Sequence, residues 1–307
     1  MKTIYKTLSM VLLASLVAGC DNGSDADLPA DALVPVRIVD AGISAEVQTR
    51  ATISSGSMGV FRAAANGYTA QYNSQYTYNG GWKPNTTVYV GGANATLYAY
   101  YPYNAATFTA NSTTCTLTAQ KYDATKDLCY ASTGGSSVCN KTPNASFAMT
   151  RAYARLKLSI TRHATNYVGN CNITDVNLKN SSGSNFFVSR TLDISSGANG
   201  GSATAGGWTY ALNSGNIAAN ATNTAYDVLV PPQPVSGNLT ITLTIDGVNR
   251  AINIPAAQFT SNNLAVGRQY TIALTITDTA VTPGGNVAIT DMTTDGTDIK
   301  NDTPTEI

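Results

Sequence analysis

Cys20 ends a segment whose residue types fit lipid attachment. Lys2 and Lys6 precede an apolar run at 8–18, and Ala18-Gly19 stands directly before Cys20. A short basic segment, an apolar run and small residues are typical of an export signal that is removed from the mature protein. The thiol could then take a diacylglyceryl group, so the pattern predicts a bacterial envelope lipoprotein with lipidated Cys20 as its new N-terminus. The alternative is an ordinary signal peptide in which Cys20 is incidental.

The cysteines beyond Cys20 suggest disulfide chemistry. Four of them remain, and an even number in an exported protein favours disulfide bonds, although spacing alone leaves their connectivity open. We expect Cys129–Cys139, which would close the Gly-rich segment 131–138, together with Cys115–Cys171. The alternative is a metal site. The single histidine and the absence of a C-x-x-C pair disfavour zinc, so no metal is predicted.

Residues that could carry catalysis do not form a recognisable set. His163 is the only histidine, and the sequence lacks a nucleophile elbow, a phosphate loop and an H-E-x-x-H pattern. We therefore predict a protein that is not an enzyme, with no catalytic residues and no cofactor. An acidic run near the C-terminus lacks the spacing of a calcium loop, so we expect a solvated tail. Its members are Asp291, Asp295, Asp298 and Asp302.

An aromatic cluster could instead stack against carbohydrate. It consists of Trp82, Tyr98, Tyr100, Tyr101 and Tyr103. Tyrosines in strands more often pack in the core or against neighbouring strands, and we favour that interpretation. The carbohydrate interpretation leads to one candidate function: a surface lipoprotein that does not polymerise and that binds glycans through β-sandwich domains.

Charge and composition restrict the partners. The 307 residues carry 18 basic and 18 acidic side chains. This balance offers no basic face, so nucleic acid is not expected as a partner. Beyond the export signal no apolar run approaches the ~18 residues that span a bilayer, so membrane attachment is expected through lipid. Abundant Thr, Asn, Ser and Gly and 17 tyrosines favour an all-β protein with many turns.

Strand patterns recur along the chain. Apolar and polar residues alternate over 34–47, with a slip that we interpret as a bulge at Gly42. The stretch 154–161 alternates in the same way and predicts a half-buried strand. Asp246-Gly247 predicts a hairpin turn between strands at 239–245 and 248–254, and Arg250 on the return strand indicates a sheet edge. Many short strands with frequent turns predict tandem β-sandwiches, which we divide at 163–166.

Several segments, taken in order, carry a family resemblance. The lipid-attachment segment is followed by Thr49-Arg50-Ala51, Gly59-Val60-Phe61 and Trp82-Lys83-Pro84. Further along stand the stretches 98–103, 127–132, 147–156 and 267–274. This ordered set resembles the fimbrillin family, the major and minor subunits of type V pili of anaerobic Gram-negative bacteria. Arg151 departs from the family pattern, which often has His there, and the four extra cysteines are also unusual.

The resemblance implies two tandem, transthyretin-like β-sandwich domains and a maturation pathway. Residues 1–19 would be the signal peptide and 20–50 a lipidated propeptide with a removable first strand. The N-terminal sandwich would cover 51–164 and the C-terminal sandwich 165–307. An Arg-specific protease would cut between Arg50 and Ala51. Losing 34–47 would expose an apolar groove, and a strand from a neighbouring subunit would fill it.

The same resemblance implies partners and a location. Because such pairing is head to tail, it can continue into an open fibre of pilin subunits. The precursor would sit in the outer membrane through its lipid and the product in a cell-surface fimbrium that supports adhesion. The candidate donor strand is the tail at about 286–307, with Val287 and Ile289 on one face. The alternative for this tail is a final strand of the C-terminal domain.

Overall fold

A computed structural model describes residues 29, 32–44, 50–182, 185–201, 207–292 and 299–300, although side chains at 50, 133–137, 299 and 300 lie outside the description. The predicted export signal, Cys20, Asp295, Asp298 and Asp302 also fall outside the described residues. No described helix is long and apolar enough to cross a membrane. The described helices are short 3₁₀ turns at Ala124–Lys126, Ala256–Gln258 and Thr260–Asn262.

Strands dominate the described chain, which confirms the predicted all-β class. The first twelve are β1 (Val34–Pro35), β2 (Arg37–Ser44), β3 (Arg50–Ile53), β4 (Ser57–Arg62), β5 (Gln71–Tyr78), β6 (Trp82–Pro84), β7 (Tyr89–Val90), β8 (Ala95–Tyr101), β9 (Thr114–Thr118), β10 (Gln120–Lys121), β11 (Cys129–Val138) and β12 (Asn144–Arg151).

The remaining strands continue without an intervening α-helix in the described part. They are β13 (Ala154–Arg162), β14 (Ile173–Asn180), β15 (Ser189–Asp193), β16 (Ala198–Gly200), β17 (Trp208–Ala211), β18 (Thr222–Asn223), β19 (Asp227–Val230), β20 (Gln233–Pro234), β21 (Asn238–Ile245), β22 (Val248–Pro255), β23 (Asn263–Leu264), β24 (Arg268–Ile276), β25 (Val281–Pro283), β26 (Ala288–Asp291) and β27 (Ile299–Lys300).

The N-terminal lobe is built on one curled sheet. Its strand order is β27-β3-β2-β12-β11-β8-β4-β5-β6. The sheet curls far enough for β2 to contact β6, so it encloses its own core. Strict alternation makes β12 a wall of that core: Ala145, Phe147 and Met149 are buried, and the residues between them are exposed. Successive side chains point to opposite faces of a sheet, which explains this pattern.

The C-terminal lobe is a sandwich of two sheets. One has the order β10-β19-β13-β24-β25, with β18 paired to β13 and β26 paired to β24, and the other runs β17-β14-β21-β22. The predicted hairpin is confirmed, because Ile245 pairs with Val248 across Asp246-Gly247. The edge position predicted from Arg250 is also confirmed, since β22 ends its sheet.

The boundary between the lobes lies earlier in the chain than the predicted break at 163–166. β13, which we assigned to the N-terminal sandwich, pairs in parallel with β24 and antiparallel with β19. It is therefore an interior strand of the C-terminal lobe. Apart from β9, β10 and β27, which pair across it, the chain changes lobe between the end of β12 at Arg151 and the start of β13 at Ala154. The predicted division into 51–164 and 165–307 needs this correction.

A hydrophobic cluster joins the two lobes. Phe61 and Tyr100 come from the N-terminal lobe, and Leu192, Leu229 and Met292 come from the C-terminal part of the chain. Next to this cluster the buried Arg151 forms an ion pair with the buried Asp127. The backbone N–H of Ala152 donates to the carbonyl of Leu128 at 2.7 Å, which ties these segments together.

Candidate functional site: the first strand and its groove

β2 is an interior strand. It pairs in parallel with β12, from Arg37 opposite Asn144 to Ile43 opposite Met149. On its other side it pairs antiparallel with β3. Both neighbouring strands therefore pair with the backbone of β2, and removing β2 would leave the edge of β12 unpaired. This is the strand that we predicted to be removable.

Apolar side chains anchor the first strand in the N-terminal core. Val36, Ile38, Ala41 and Ile43 are each 6% exposed or less and belong to the core cluster of that lobe. Burying an aliphatic side chain of this kind stabilises a fold by about 1.5–3 kcal/mol, so the strand contributes several kcal/mol in all. A segment that replaced it would need apolar residues at the matching positions.

A buried tyrosine fixes the beginning of this strand. The Tyr76 hydroxyl donates to the Val36 carbonyl at 3.4 Å and accepts from the Val88 N–H at 3.2 Å. Burial raises the pKa of Tyr76 above its usual value, so the hydroxyl keeps its proton. The sequence analysis did not identify Tyr76. In the structure, half-buried and buried residues alternate along β5 around Tyr76.

The bulge in the first strand is at Val39, not at Gly42 as predicted. Ile38 pairs with Ala145, but the next partner, Ser146, pairs with Asp40, so Val39 is the extra residue. Its side chain is 60% exposed. Gly42 instead continues the regular register, opposite Ala148 and Thr52. Because Val39 is the extra residue, the alternation of buried and exposed side chains shifts between Ile38 and Ala41.

The predicted cleavage site lies at the start of a strand. Arg50 and Ala51 open β3, opposite Ser44 and Ile43 of β2. Residues 45–49, which connect β2 to β3, lie outside the described residues. An ordered strand must open locally before a protease can bind it in extended form, and short strands at the edge of a sheet open most readily. The outer neighbour of β3 is β27, which pairs with it at only Ile53 and Thr52.

The candidate donor residues lie near a strand of the same chain. Ile289 pairs with Tyr270 as part of β26, and Val287 donates its N–H to Gln258 Oε1 at 2.9 Å. Arg268 forms an ion pair with Asp291 at the end of β26. This arrangement matches the alternative in which 288–291 is a final strand of the C-terminal domain. Ile289 remains 38% exposed, so its apolar face is only partly covered.

All four described cysteines are free. Cys129 pairs opposite Tyr101, whereas Val138, next to Cys139, pairs opposite Ala95. Six residues of strand at ~3.3 Å each separate these partners by about 20 Å, far more than the ~7 Å limit for the Cα atoms of a disulfide. The predicted Cys129–Cys139 bond does not fit this geometry.

The other predicted pair is also separated in the fold. Cys115 packs in the cluster between the lobes, and Cys171 packs in the C-terminal core. Burial raises the pKa of Cys115 to about 12 and that of Cys171 to about 11, so both thiols stay protonated and unreactive at neutral pH. The described residues contain no cluster of three potential metal ligands.

The other residues singled out by sequence have local structural roles. His163 Nδ1 accepts from the N–H groups of Thr165 and Asn166 at 3.3 and 3.2 Å, so it caps a turn. Tyr100 is fully buried and contacts the ring of Tyr103 with centroids 6.2 Å apart. Trp82 packs edge to face on Tyr78. These contacts agree with packing rather than a sugar platform at the aromatic cluster.

The chain matches one family model and is similar in fold to several solved structures. A family model described as fimbrillin-like matches residues 49–291. No curated protein sequence matches the chain. A candidate cell adhesion protein from Bacteroides ovatus is similar at a TM-score of 0.60 and 16% identity, covering 86% of this chain and 100% of that one.

Two further solved structures share the architecture. A candidate cell adhesion protein from Bacteroides uniformis has a TM-score of 0.58 and 18% identity, with 85% of this chain and 99% of that chain covered. A fimbrial protein from Bacteroides vulgatus has a TM-score of 0.50 and 12% identity, with 83% and 98% covered. The structural likeness supports the fold, and the family match spans most of the sequence. The chain therefore belongs to the fimbrillin-like family.

Proposed function

We propose that this chain is the precursor of a polymerising pilus subunit. It is exported as a lipoprotein through Cys20, held at the outer membrane by that lipid, and cut between Arg50 and Ala51 by an Arg-specific protease. Cleavage releases β1 and β2, and another pilin subunit supplies the missing strand. Family membership supports a pilus-type subunit in general, and the position of β2 supports this particular mechanism.

The observation that carries the proposal is the placement of β2 directly before the candidate cut. One cut after Arg50 separates the whole of this interior strand from the rest of the fold. It would open a groove along β12 walled by Phe147 and Met149. An incoming strand could restore the backbone hydrogen bonds and refill the apolar positions, which is the physical basis of strand addition.

The donor in this proposal is the C-terminal tail at about 286–307, which includes β26 and β27. Its contact with the same chain through β27 is limited to the pairing with Thr52 and Ile53 of β3. Release of β2 removes the other neighbour of β3 and so weakens the support for that pairing. Val287 and Ile289 lie at the start of this segment and are the candidates for the first donor contacts.

The test is limited proteolysis of the purified precursor with an Arg-specific protease. We expect one early cut at Arg50, identified by intact mass, followed by a ladder of oligomers that resist detergent on gels. Arg50→Ala should stay intact and monomeric. Arg37→Ala is the matched control, since Arg37 is another arginine of the first segment, and it should behave as the unmodified chain. Cleavage at Arg50 without oligomers would exclude self-polymerisation, and resistance at Arg50 would exclude the whole mechanism.

A further inference from the structure

A cleft of about 750 Å³ opens at the junction of the lobes. It is formed by the 102–112 segment, β9, Gln120 of β10, the 125–128 segment, Tyr153 and Thr191. Ligand sites in proteins typically enclose about 300–1,000 Å³ and favour interfaces between domains. The cleft is separate from β2 and its groove, and none of its lining residues belongs to the segment lost on cleavage.

Uncharged hydrogen-bonding groups dominate the lining. Ten side chains carry a hydroxyl or an amide, among them Asn104, Thr107, Thr116, Gln120, Thr125 and Thr191. Lys126 is the one charged lining residue, and no acidic side chain lines the cleft within the described part of the chain. Threonine hydroxyls both donate and accept hydrogen bonds. Such a lining matches a ligand that is itself rich in hydroxyl groups.

Two buried or half-buried polar groups of the lining have hydrogen-bonding capacity left for such a ligand. The Tyr153 hydroxyl accepts from the Thr118 N–H at 3.2 Å and from Gln120 Nε2 at 3.3 Å. Burial raises the pKa of Tyr153 to about 12, so the hydroxyl keeps its proton. Among the described residues nothing accepts that proton, and nothing donates to the Gln120 side-chain oxygen. The pair therefore offers one donor and one acceptor side by side.

An apolar surface completes the cleft. Phe108, Leu117 and Leu128 line it and belong to the cluster between the lobes. The Phe108 ring is fixed against Tyr100, with centroids 4.6 Å apart. Sugar rings present C–H faces as well as hydroxyl edges, so an apolar surface beside hydroxyl and amide groups fits both parts of the ring.

We propose that this cleft binds a short oligosaccharide, with the Tyr153 hydroxyl and Gln120 amide contacting its hydroxyl groups and Phe108 packing against a ring face. The site would give the pilus subunit a glycan ligand of its own. The proposal does not depend on polymerisation, because the cleft is complete in the precursor.

Binding can be measured on the full-length precursor. The protein is applied to an array of short neutral oligosaccharides, and those retained are titrated by calorimetry. Gln120→Leu and Thr116→Val each remove hydrogen-bonding groups from the lining, and each should weaken binding roughly fivefold, the value of one ordinary hydrogen bond. Thr118→Val is the matched control: Thr118 is an exposed threonine of the same strand whose side chain does not line the cleft.

The urea midpoint of each variant shows whether its fold is intact. Retention of oligosaccharides that is lost in Gln120→Leu and Thr116→Val, and kept in Thr118→Val, supports the proposal. It is overturned if no neutral oligosaccharide is retained, or if folded lining variants bind as tightly as the control. Because the readout is binding by uncleaved monomer, failure here is distinguishable from failure of strand exchange.

Discussion

A single carboxylate organises the distal end of the C-terminal lobe. Asp246 occupies the hairpin turn at a φ of +47°, and much of the residue is exposed. It accepts hydrogen bonds from the Tyr167 hydroxyl at 2.6 Å and from the N–H groups of Cys171 and Asn172, both at 2.9 Å. Partial burial acts to raise the pKa of Asp246, but these hydrogen bonds outweigh it and hold the pKa below its usual value. The turn residue thus connects the hairpin to 167–172.

Asp246→Asn should lower stability in a pH-dependent way. Asparagine also suits the positive φ, so the turn is kept, but one acceptor oxygen becomes an NH₂ group that faces donors. We expect a loss of about 1–2 kcal/mol at pH 7. The folded pKa lies below the unfolded value of ~3.9, so the contribution is present above that value and disappears as pH falls through the folded pKa.

Urea unfolding of the unmodified chain and the variant at neutral and acid pH measures this difference. Asp175→Asn is the control, because Asp175 lies on the neighbouring strand β14 and its side chain has no such set of donors. Equal midpoints for the unmodified chain and Asp246→Asn at pH 7, or a difference that persists unchanged in acid, would contradict the role assigned to Asp246.

Within single strands and turns, the features that could be predicted are those determined by residues adjacent in the sequence. The turn at Asp246-Gly247 follows from two adjacent residues that tolerate positive φ, and the structure has it at those positions. The bulge is different, since the register of β2 is set by β12, about a hundred residues further along. Arg155 is similar: alternation predicts an outward side chain, yet it is 1% exposed and packs over the Tyr122 ring at 3.4 Å. Distant segments cause both differences.

A peptide with the sequence of 34–44 should restore the cleaved protein. Cutting after Arg50 and separating the products removes four apolar side chains from the core, so we expect a loss of about 5 kcal/mol or more in unfolding free energy. Added in excess, the peptide should bind along β12 and recover most of that loss, because binding to the folded state stabilises it. Thermal or urea midpoints with and without peptide give the measurement.

A peptide of the same length with Ile38 and Ile43 replaced by Asp is the control, and it should have no effect. If both peptides stabilise the cleaved protein equally, the apolar positions of β2 do not define the groove. If the urea or thermal midpoint is unchanged after 34–50 is separated, the first strand does not contribute to the stability of the core, contrary to what its burial indicates.

The C-terminal end of the chain contacts both lobes of the molecule. β26 belongs to the C-terminal sheet, Met292 is buried in the cluster between the lobes, and β27 pairs with β3 in the N-terminal sheet. The all-β class and the presence of two lobes could be predicted from strand and turn patterns. The position of the boundary could not be predicted. The sequence pattern of a half-buried strand such as β13 would be the same in either lobe, and only its pairing partners show where it belongs.

The corrected boundary can be tested with two fragments that differ only in β13. Almost all of the C-terminal core, apart from Ala119, lies within 154–281, so a fragment of 153–292 should unfold cooperatively and give dispersed amide signals in NMR spectra. A fragment of 165–292 lacks the interior strand and its buried residues Leu156, Leu158 and Ile160. Each of these contributes about 1.5–3 kcal/mol, and domains are stable by only about 5–15 kcal/mol, so the shorter fragment should not fold. Cooperative unfolding of both fragments at similar urea midpoints would return the boundary to 163–166. Cooperative unfolding of the longer fragment alone would establish β13 as the first strand of the C-terminal lobe.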